Sequence, residues 1–405
     1  MISLQLSEHF ETIFNKLLCA FRKGHGCQTT LLKLLEDWKQ ALDQNHYVAA
    51  ILMDLSKAFD CLPHDILLCK LSAYGLTDHS VKLMHSYLSN RKQQIKNGDA
   101  VSSWANIQKG VPQGSILGPL LFNVFINDIF YFIKQSSLYN YADDNTLSYH
   151  NHNLDRLVTV LQEESNILLD WFNFNCMKAN PDKCQAIAVG KKTHSNPPVF
   201  QIDDSNITCD ESVKLLGVDI DFMLNFDGHI QSICKKAAQQ LNILKRLGKS
   251  LTKLSKLTIF HTFILSNFNF CPLSWHFCSK RNTQKIEKVQ ERALRFVYED
   301  YTTSYTELLN KIGLPSLHIR RIRTMAIETY KIFSKQSPTV LNDLIRIKDS
   351  KYNFRYSNLL QVPQVRTTRY GKNSFRYAAP VLWNSLPDEL RVCINFNQFK
   401  KMITS

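Results

Sequence analysis

The chain has 405 residues, 44% of them apolar and 11% aromatic, enough to bury a sizeable core, which excludes a wholly disordered polypeptide. Glycine (13) and proline (12) are too sparse for collagen-like or low-complexity classes. Lys and Arg number 49 against 35 Asp and Glu, a net charge of +14 that points to a polyanionic partner. The length predicts two to three domains. No run of 18 apolar residues suits a membrane span, so no membrane partner is expected. The opening MISLQLSEHFETIF lacks the basic and apolar regions of a signal peptide.

In chain order, residues 1–45 carry leucines and phenylalanines at helical spacing, broken by Ala20-Phe21-Arg22-Lys23-Gly24-His25-Gly26, a turn with two glycines and two cations. Tyr47–Asp54 is an apolar run ending at a carboxylate, the pattern of a strand buried on both faces. Helical periodicity returns over 64–90. Gln93–Gln108 alternates like a hairpin, and Gly110–Gly114 forms a loop before a helix from about Leu117 to Tyr131. Leu138–Tyr149 reads as strand–turn–strand with Asp143 and Asp144 at the turn. A helix is expected over about 153–173, with strands at 185–190 and 213–220.

Residues 229–299 read as almost wholly helical and basic. From His229 to Val340 there are 19 Lys and Arg against 6 Asp and Glu, so nearly all the net charge falls there. The segment after 300 mixes helix with an irregular stretch. The eleven cysteines are odd in number and irregularly spaced, which fits reduced thiols in an intracellular protein, nuclear or cytoplasmic, and no disulfide framework. Cys271, His276 and Cys278 suit core packing better than zinc, because no CxxC pair accompanies them.

The chemistry concentrates at Asp54 and at Asp143-Asp144, 89 residues later, each following an apolar strand. If those strands are neighbours, three carboxylates meet at one edge. Such a cluster is unfavourable without cations, and its hard oxygens suit Mg²⁺ or Mn²⁺. Two such ions about 3.5–4 Å apart clamp both oxygens of a phosphoryl displacement.

Tyr141-Ala142-Asp143-Asp144 resembles the YADD box of reverse transcriptases. Met53–Asp60 (MDLSKAFD) resembles their first aspartate motif, and Gly110–Pro119 (GVPQGSILGP) a third box, all in the family's order. The spelling is that of non-LTR (LINE-like) retrotransposon polymerases. Phe21-Arg22-Lys23-Gly24 resembles the GFRxG fingers motif with Ala20 in place of the first Gly. Met177–Cys184 contains an N-P-x-K segment, and Val213–Val218 resembles the primer-grip LGV. The resemblance covers roughly residues 10–225 and continues more loosely beyond.

The resemblance implies an α/β (α+β) right-hand polymerase: antiparallel palm sheet, helical fingers, helical basic thumb and a C-terminal extension. The expected division is 1–225 fingers and palm, 226–300 thumb, and 301–405 of unknown role. It implies RNA-directed DNA synthesis, with an RNA template, a DNA primer, dNTPs and two Mg²⁺ or Mn²⁺ ions. The metal positions would be Asp54, Asp143, Asp144 and Leu55, with Lys183 a candidate general acid for pyrophosphate release. Arg22, Lys23, Phe59, Gln113 and Gly114 would meet the dNTP, with Phe59 as a steric gate against a 2′-hydroxyl. Leu216 and Gly217 would grip the primer. Lys235, Lys236, Lys245, Arg246, Lys249, Lys253 and Lys256 would follow duplex phosphates. A second basic cluster is Lys280, Arg281, Lys285, Lys288, Arg292 and Arg295. Gly-Asp-Asp and a second Asp at position 59, expected of an RNA-dependent RNA polymerase, are replaced by Ala142 and Phe59. The upstream RPISL fingers segment and the endonuclease usual in the family are not found. The chain is therefore expected to be the N-terminally truncated piece of a larger element protein, and an inactive remnant that only binds nucleic acid is the alternative.

Overall fold

The computed structural model describes residues 2–194, 197–348 and 358–404. In chain order come α1 (Ile2–Glu11), α2 (Cys27–Asp43), β1 (Tyr47–Asp54), α3 (Ala58–Cys61), α4 (His64–Ala73) and α5 (Asp78–Leu88). Four two-residue strands follow: β2 (Lys92–Gln93), β3 (Lys96–Asn97), β4 (Ala100–Val101) and β5 (Ala105–Asn106). They form a nested antiparallel ribbon, β3 with β4 inside β2 with β5. Next are α6 (Gly118–Ile126), a 3₁₀ turn at Asn127–Tyr131, β6 (Ser137–Tyr141), β7 (Asp144–Asn151) and α7 (Leu154–Phe174). A 3₁₀ turn at Pro181–Lys183 leads into β8 (Gln185–Val189), α8 (Lys191–His194), β9 (Val199–Ile202) and β10 (Ser205–Thr208). Then come β11 (Ser212–Leu215), β12 (Val218–Asp221), α9 (Asp227–Leu247), α10 (Lys253–Ile259), α11 (Ser266–Asn269) and α12 (Lys280–Tyr298). The described chain closes with α13 (Tyr305–Ile312), α14 (Leu317–Phe333), α15 (Phe375–Ser385), α16 (Asp388–Arg391) and α17 (Phe396–Thr404).

The chain forms two compact units. The first holds 1–26, 47–188 and 192–210, and the second holds 27–46, 189–191 and 211–405. These units do not follow the division at 225/226 expected from the sequence. They part near 210, and α2 joins the second unit, because its partners lie far along the chain.

The first unit is built on a four-stranded sheet in the order β6-β7-β1-β8. β7 runs antiparallel to both β6 and β1. β1 is an interior strand, and its six middle residues Val48–Met53 are all buried, which is why it reads as an unbroken apolar run. α7 packs across β1 and β7. α6 is buried nearly all round, so its sequence GPLLFNVFI shows no polar stripe. Together with Phe10 and Phe14 these elements enclose one apolar core. The β9–β10 hairpin was not expected from the sequence. Its strands are short, and only Phe200 and Ile202 of the eight residues are buried.

In the second unit, β11 and β12 form a hairpin beside α9, and α9 packs against α12. The helical segment expected over 229–299 is broken after α9 at 248–252 and again at 270–279, where Cys271 takes a left-handed backbone (φ 43°) just before Pro272. The C-terminal region packs on α2. The Asp43 carboxylate accepts from the backbone N–H of Arg366 (3.0 Å) and Thr367 (2.7 Å), and Glu36 accepts from that of Arg376 (2.9 Å). Lys33 pairs with Asp343 at 2.8 Å. The polar side of α2 is therefore buried too. No disulfide joins the described cysteines. No described helix is long and apolar enough to cross a membrane.

Candidate active site

β1 and β7 are registered so that Asp54, the last residue of one, stands directly opposite Asp144, the first of the other. Asp143 occupies the two-residue turn between β6 and β7, with Ala142 in the left-handed region (φ 57°). The fold thus brings Asp54, Asp143 and Asp144 to one edge of the antiparallel sheet. Carboxylates placed directly opposite repel, and here they are also partly desolvated. Burial first, then Asp143 and Asp54, push the Asp144 carboxyl up to about 6, while Lys183 alone opposes the rise.

Lys183, on the 3₁₀ turn before β8, donates to Asp54 Oδ2 at 2.9 Å. That bond and the charge of Asp54 raise the pKa of the exposed ammonium, so it holds its proton as a counter-charge. The segment carrying it is laced to β1: Asn180 N–H donates to the Asp54 carbonyl and Ser56 N–H to that of Lys178, both at 2.9 Å. Leu55 is buried (3% exposed) and its hydrocarbon side chain has no ligating atom, so only its backbone carbonyl could serve a metal.

The donor set of hard carboxylate oxygens, three carboxylates with Lys183 bound to Asp54 alone, fits a divalent cation in its chemistry. The cluster is not closed: among the described residues no three His, Cys, Asp or Glu side chains gather as a metal-holding group. That finding covers Cys271, His276 and Cys278 as well. Burial pushes the Cys271 thiol up to about 12 and His276 down to about 3, as packed core groups.

Phe59, in the short helix α3, is half-buried. Its ring stacks on Phe122 at 4.4 Å and meets Phe21 edge-on at 5.9 Å. Gln113 is exposed and donates to Asp60 Oδ1 at 2.8 Å. Gly114 is exposed with open space around it, whereas Gly110 lies against the Asp60 backbone.

Arg22 departs from expectation. Its side chain is 5% exposed and grips Glu11 through Nε (3.2 Å) and Nη2 (2.7 Å). Nη1 donates to the carbonyls of Asn15 and Leu18. A guanidinium so engaged is a clamp for the loop over residues 12–26, and Lys23, next to it in sequence, is exposed, as is Lys16. Burial, aided by Arg22, lowers His25 beside it to about 4, so the ring is neutral.

In the second unit, Leu216 and Gly217 form the β11–β12 turn, both with positive φ. On α9, Lys235, Lys236, Lys245 and Arg246 are exposed, as is Lys253 on α10, whose ammonium lies 4.3 Å from the Tyr298 ring centre. The Lys249 side chain lies outside the described ones. Lys256 corrects the expectation: it is 7% exposed and pairs with Glu299 at 2.9 Å, so it braces helices and does not face a partner. Arg295 likewise turns to Glu291 (2.8 Å), while Lys280, Arg281, Lys285, Lys288 and Arg292 remain exposed.

Sequence reasoning passed over Asn140 and Asn145, buried polar residues bracketing the aspartate turn. The signal was present, since asparagine is depleted in strands and two stand here beside one turn.

A family model described as "Reverse transcriptase (RNA-dependent DNA polymerase)" matches residues 1–220. The "Probable RNA-directed DNA polymerase from transposon BS" of Drosophila melanogaster is 28% identical over 289 residues, covering 68% of this chain and 32% of that protein. The "RNA-directed DNA polymerase from mobile element jockey" of Drosophila funebris is 25% identical over 302 residues, covering 71% and 32%. The chain spans about a third of the length of these curated relatives. Among solved structures, apo telomerase from Candida Tropicalis gives a TM-score of 0.42 at 12% identity over 76% of this chain and 50% of that one, a likeness too loose to carry an argument. With more than half of its length matched by the family model, and with that family's aspartate boxes at one edge of an antiparallel sheet, the chain belongs to the reverse transcriptase (RNA-dependent DNA polymerase) family.

Proposed function

We propose that the chain carries the polymerase part of a non-LTR retrotransposon protein and extends a DNA primer on an RNA template by nucleotidyl transfer from dNTPs. The observation that supports this reading most is the register that sets Asp54 opposite Asp144, with Asp143 in the adjoining turn. Asp54, Asp143, Asp144 and the Leu55 carbonyl would hold two Mg²⁺ or Mn²⁺ ions, which supply Lewis-acid stabilisation of the oxygens that gain charge in the transfer. Lys183 neutralises Asp54 at rest. To donate a proton to the leaving pyrophosphate it would first have to give up that bond.

The chain's own residues supply selection and grip. Phe59, half-buried against Phe122 and Phe21, is proposed to meet the sugar and exclude a 2′-hydroxyl by size. Lys23 is the cation for the triphosphate, and Arg22 holds the loop that carries it. Gln113 and Gly114 offer an amide and open backbone to the nucleotide. Leu216 and Gly217 are proposed to support the primer end. The exposed cations of α9, α10 and α12 are proposed to contact duplex phosphates without reading sequence.

The test compares wild type with Asp54→Asn and Asp143→Asn on an RNA-templated DNA primer. Extension falling by orders of magnitude while duplex affinity holds supports the polymerase. Duplex binding with no extension by the wild type would support the alternative, a chain that only binds nucleic acid.

A further inference from the structure

Asn140 and Asn145 are cross-strand partners in the β6–β7 hairpin, 0% and 1% exposed. Buried amides in a strand are unfavourable unless their bonds are made, so a facing pair breaks a local rule, and such breaks gather at functional sites. Asn140 Nδ2 donates to the Ala142 carbonyl (2.8 Å) and to Asn145 Oδ1 (2.9 Å). Asn145 Nδ2 donates to the Asp143 carbonyl at 3.0 Å. Every acceptor is an oxygen, which fixes both amide orientations. The two side chains therefore hold the carbonyls of both turn residues, one of which carries a carboxylate. Asn140 Oδ1 is left buried with no hydrogen-bond partner, so the amide is kept for what its nitrogen does.

The backbone of Asn140 makes a second connection. Its N–H donates to the Leu17 carbonyl (3.1 Å), and its carbonyl accepts from Cys19 N–H (2.9 Å). The neighbouring carbonyls of Asn15 and Leu18 are the two that Arg22 Nη1 grips. A continuous set of bonds thus runs from Arg22, beside Lys23, through residues 15–19 to Asn140 and on to the Asp143 carbonyl.

We propose that Asn140 and Asn145 are positioning residues for the Asp143–Asp144 turn. The catalytic consequence rests on the polymerase reading, whereas the clamp itself does not. Leucine, with the same number and branching of side-chain heavy atoms, would keep the strand but release the turn.

The full chain is compared with Asn140→Leu and Asn145→Leu, which keep the number and branching of side-chain heavy atoms, and with Asn145→Thr, whose hydroxyl retains a donor and an acceptor. The first arm is hydrogen–deuterium exchange without metal or nucleic acid. Both leucine variants should speed exchange over 138–149. Unchanged exchange over 138–149 in either leucine variant overturns the clamp. The second arm is primer extension with a Mg²⁺ titration. Each leucine variant should lower kcat and raise the Mg²⁺ midpoint by about 10–100-fold, the range seen when groups supporting metal ligands are lost, with primer KM little changed. Asn145→Thr should recover part of both. Normal kcat and Mg²⁺ midpoint in the leucine variants overturn the positioning role. Altered exchange together with no extension by the wild type leaves the clamp standing and counts against the polymerase reading alone.

Discussion

Gly110 offers a measurement whose size can be worked out from the structure. It adopts φ +84°, and a Cβ there would stand 2.8 Å from Asp60 Cα and 2.9 Å from its carbonyl carbon and oxygen. Gly114, four residues on, has φ +76° but nothing within 4 Å of its Cβ position. Both alanine variants bear the left-handed penalty of about 1–2 kcal/mol. Gly110→Ala adds an overlap with backbone that cannot swing aside, of about 1–3 kcal/mol. The expected losses are therefore about 2–5 kcal/mol for Gly110→Ala and about 1–2 kcal/mol for Gly114→Ala. Thermal unfolding should separate the two variants by roughly 2–4 °C per kcal/mol. The overlap also bears on the site. Asp60 must move, and it holds Gln113 at 2.8 Å, while Val111 N–H bonds the Phe59 carbonyl at 2.9 Å. The KM for dNTP should rise more in Gly110→Ala than in Gly114→Ala. Equal destabilisation by the two substitutions would refute the close approach of Gly110 to Asp60.

Other expectations follow from the same site and from the basic helices. The Asp144 carboxyl is raised from 3.8 to about 6, so its contribution to stability is present below 3.8 and lost as pH rises through about 6. In EDTA, Asp144→Asn should therefore gain on the wild type as pH rises from 4 to 7. The gain should be about 1 kcal/mol once solvent screening of this half-exposed group is allowed for; parallel stability curves would exclude the shift. Phe59→Val should raise ribonucleotide use, read as the ratio of kcat/KM values, while dNTP use falls much less. An unmoved ratio would make Phe59 simple packing. Replacing Lys235, Lys236 and Lys245 by Ala should weaken duplex binding alike for different sequences and flatten its salt dependence. Lys256→Ala should instead lower the melting temperature, with salt dependence unchanged, because its buried stem packs in the fold and its ammonium is taken by Glu299.

The sheet edge was legible in the sequence because its signals are local. β1 is apolar up to Asp54, where it ends, and β6 and β7 set tyrosines and other β-formers on both sides of Asp143-Asp144. What the sequence hid depends on partners distant along the chain. Nothing near Arg22 reveals that its guanidinium turns to Glu11 and two carbonyls; a cation beside glycines reads the same whether it faces solvent or protein. Lys256 looks like any other member of its basic run until Glu299 is placed beside it. α2 reads as part of the N-terminal half, yet its buried Glu36 and Asp43 are satisfied by backbone N–H groups more than 300 residues later. Asn140 and Asn145 were visible as residues, but their meaning needed the register that makes them face each other.

The central claim is RNA-templated DNA synthesis at the carboxylate edge. Its most direct measurement is incorporation of dTTP on poly(rA)/oligo(dT) by the full chain, titrated with Mg²⁺ and with Mn²⁺, beside Asp143→Asn at equal primer occupancy. The account predicts metal-dependent extension by the wild type and a loss of orders of magnitude in the variant. Extension that survives Asp143→Asn, or none at any metal concentration despite bound primer–template, would contradict it.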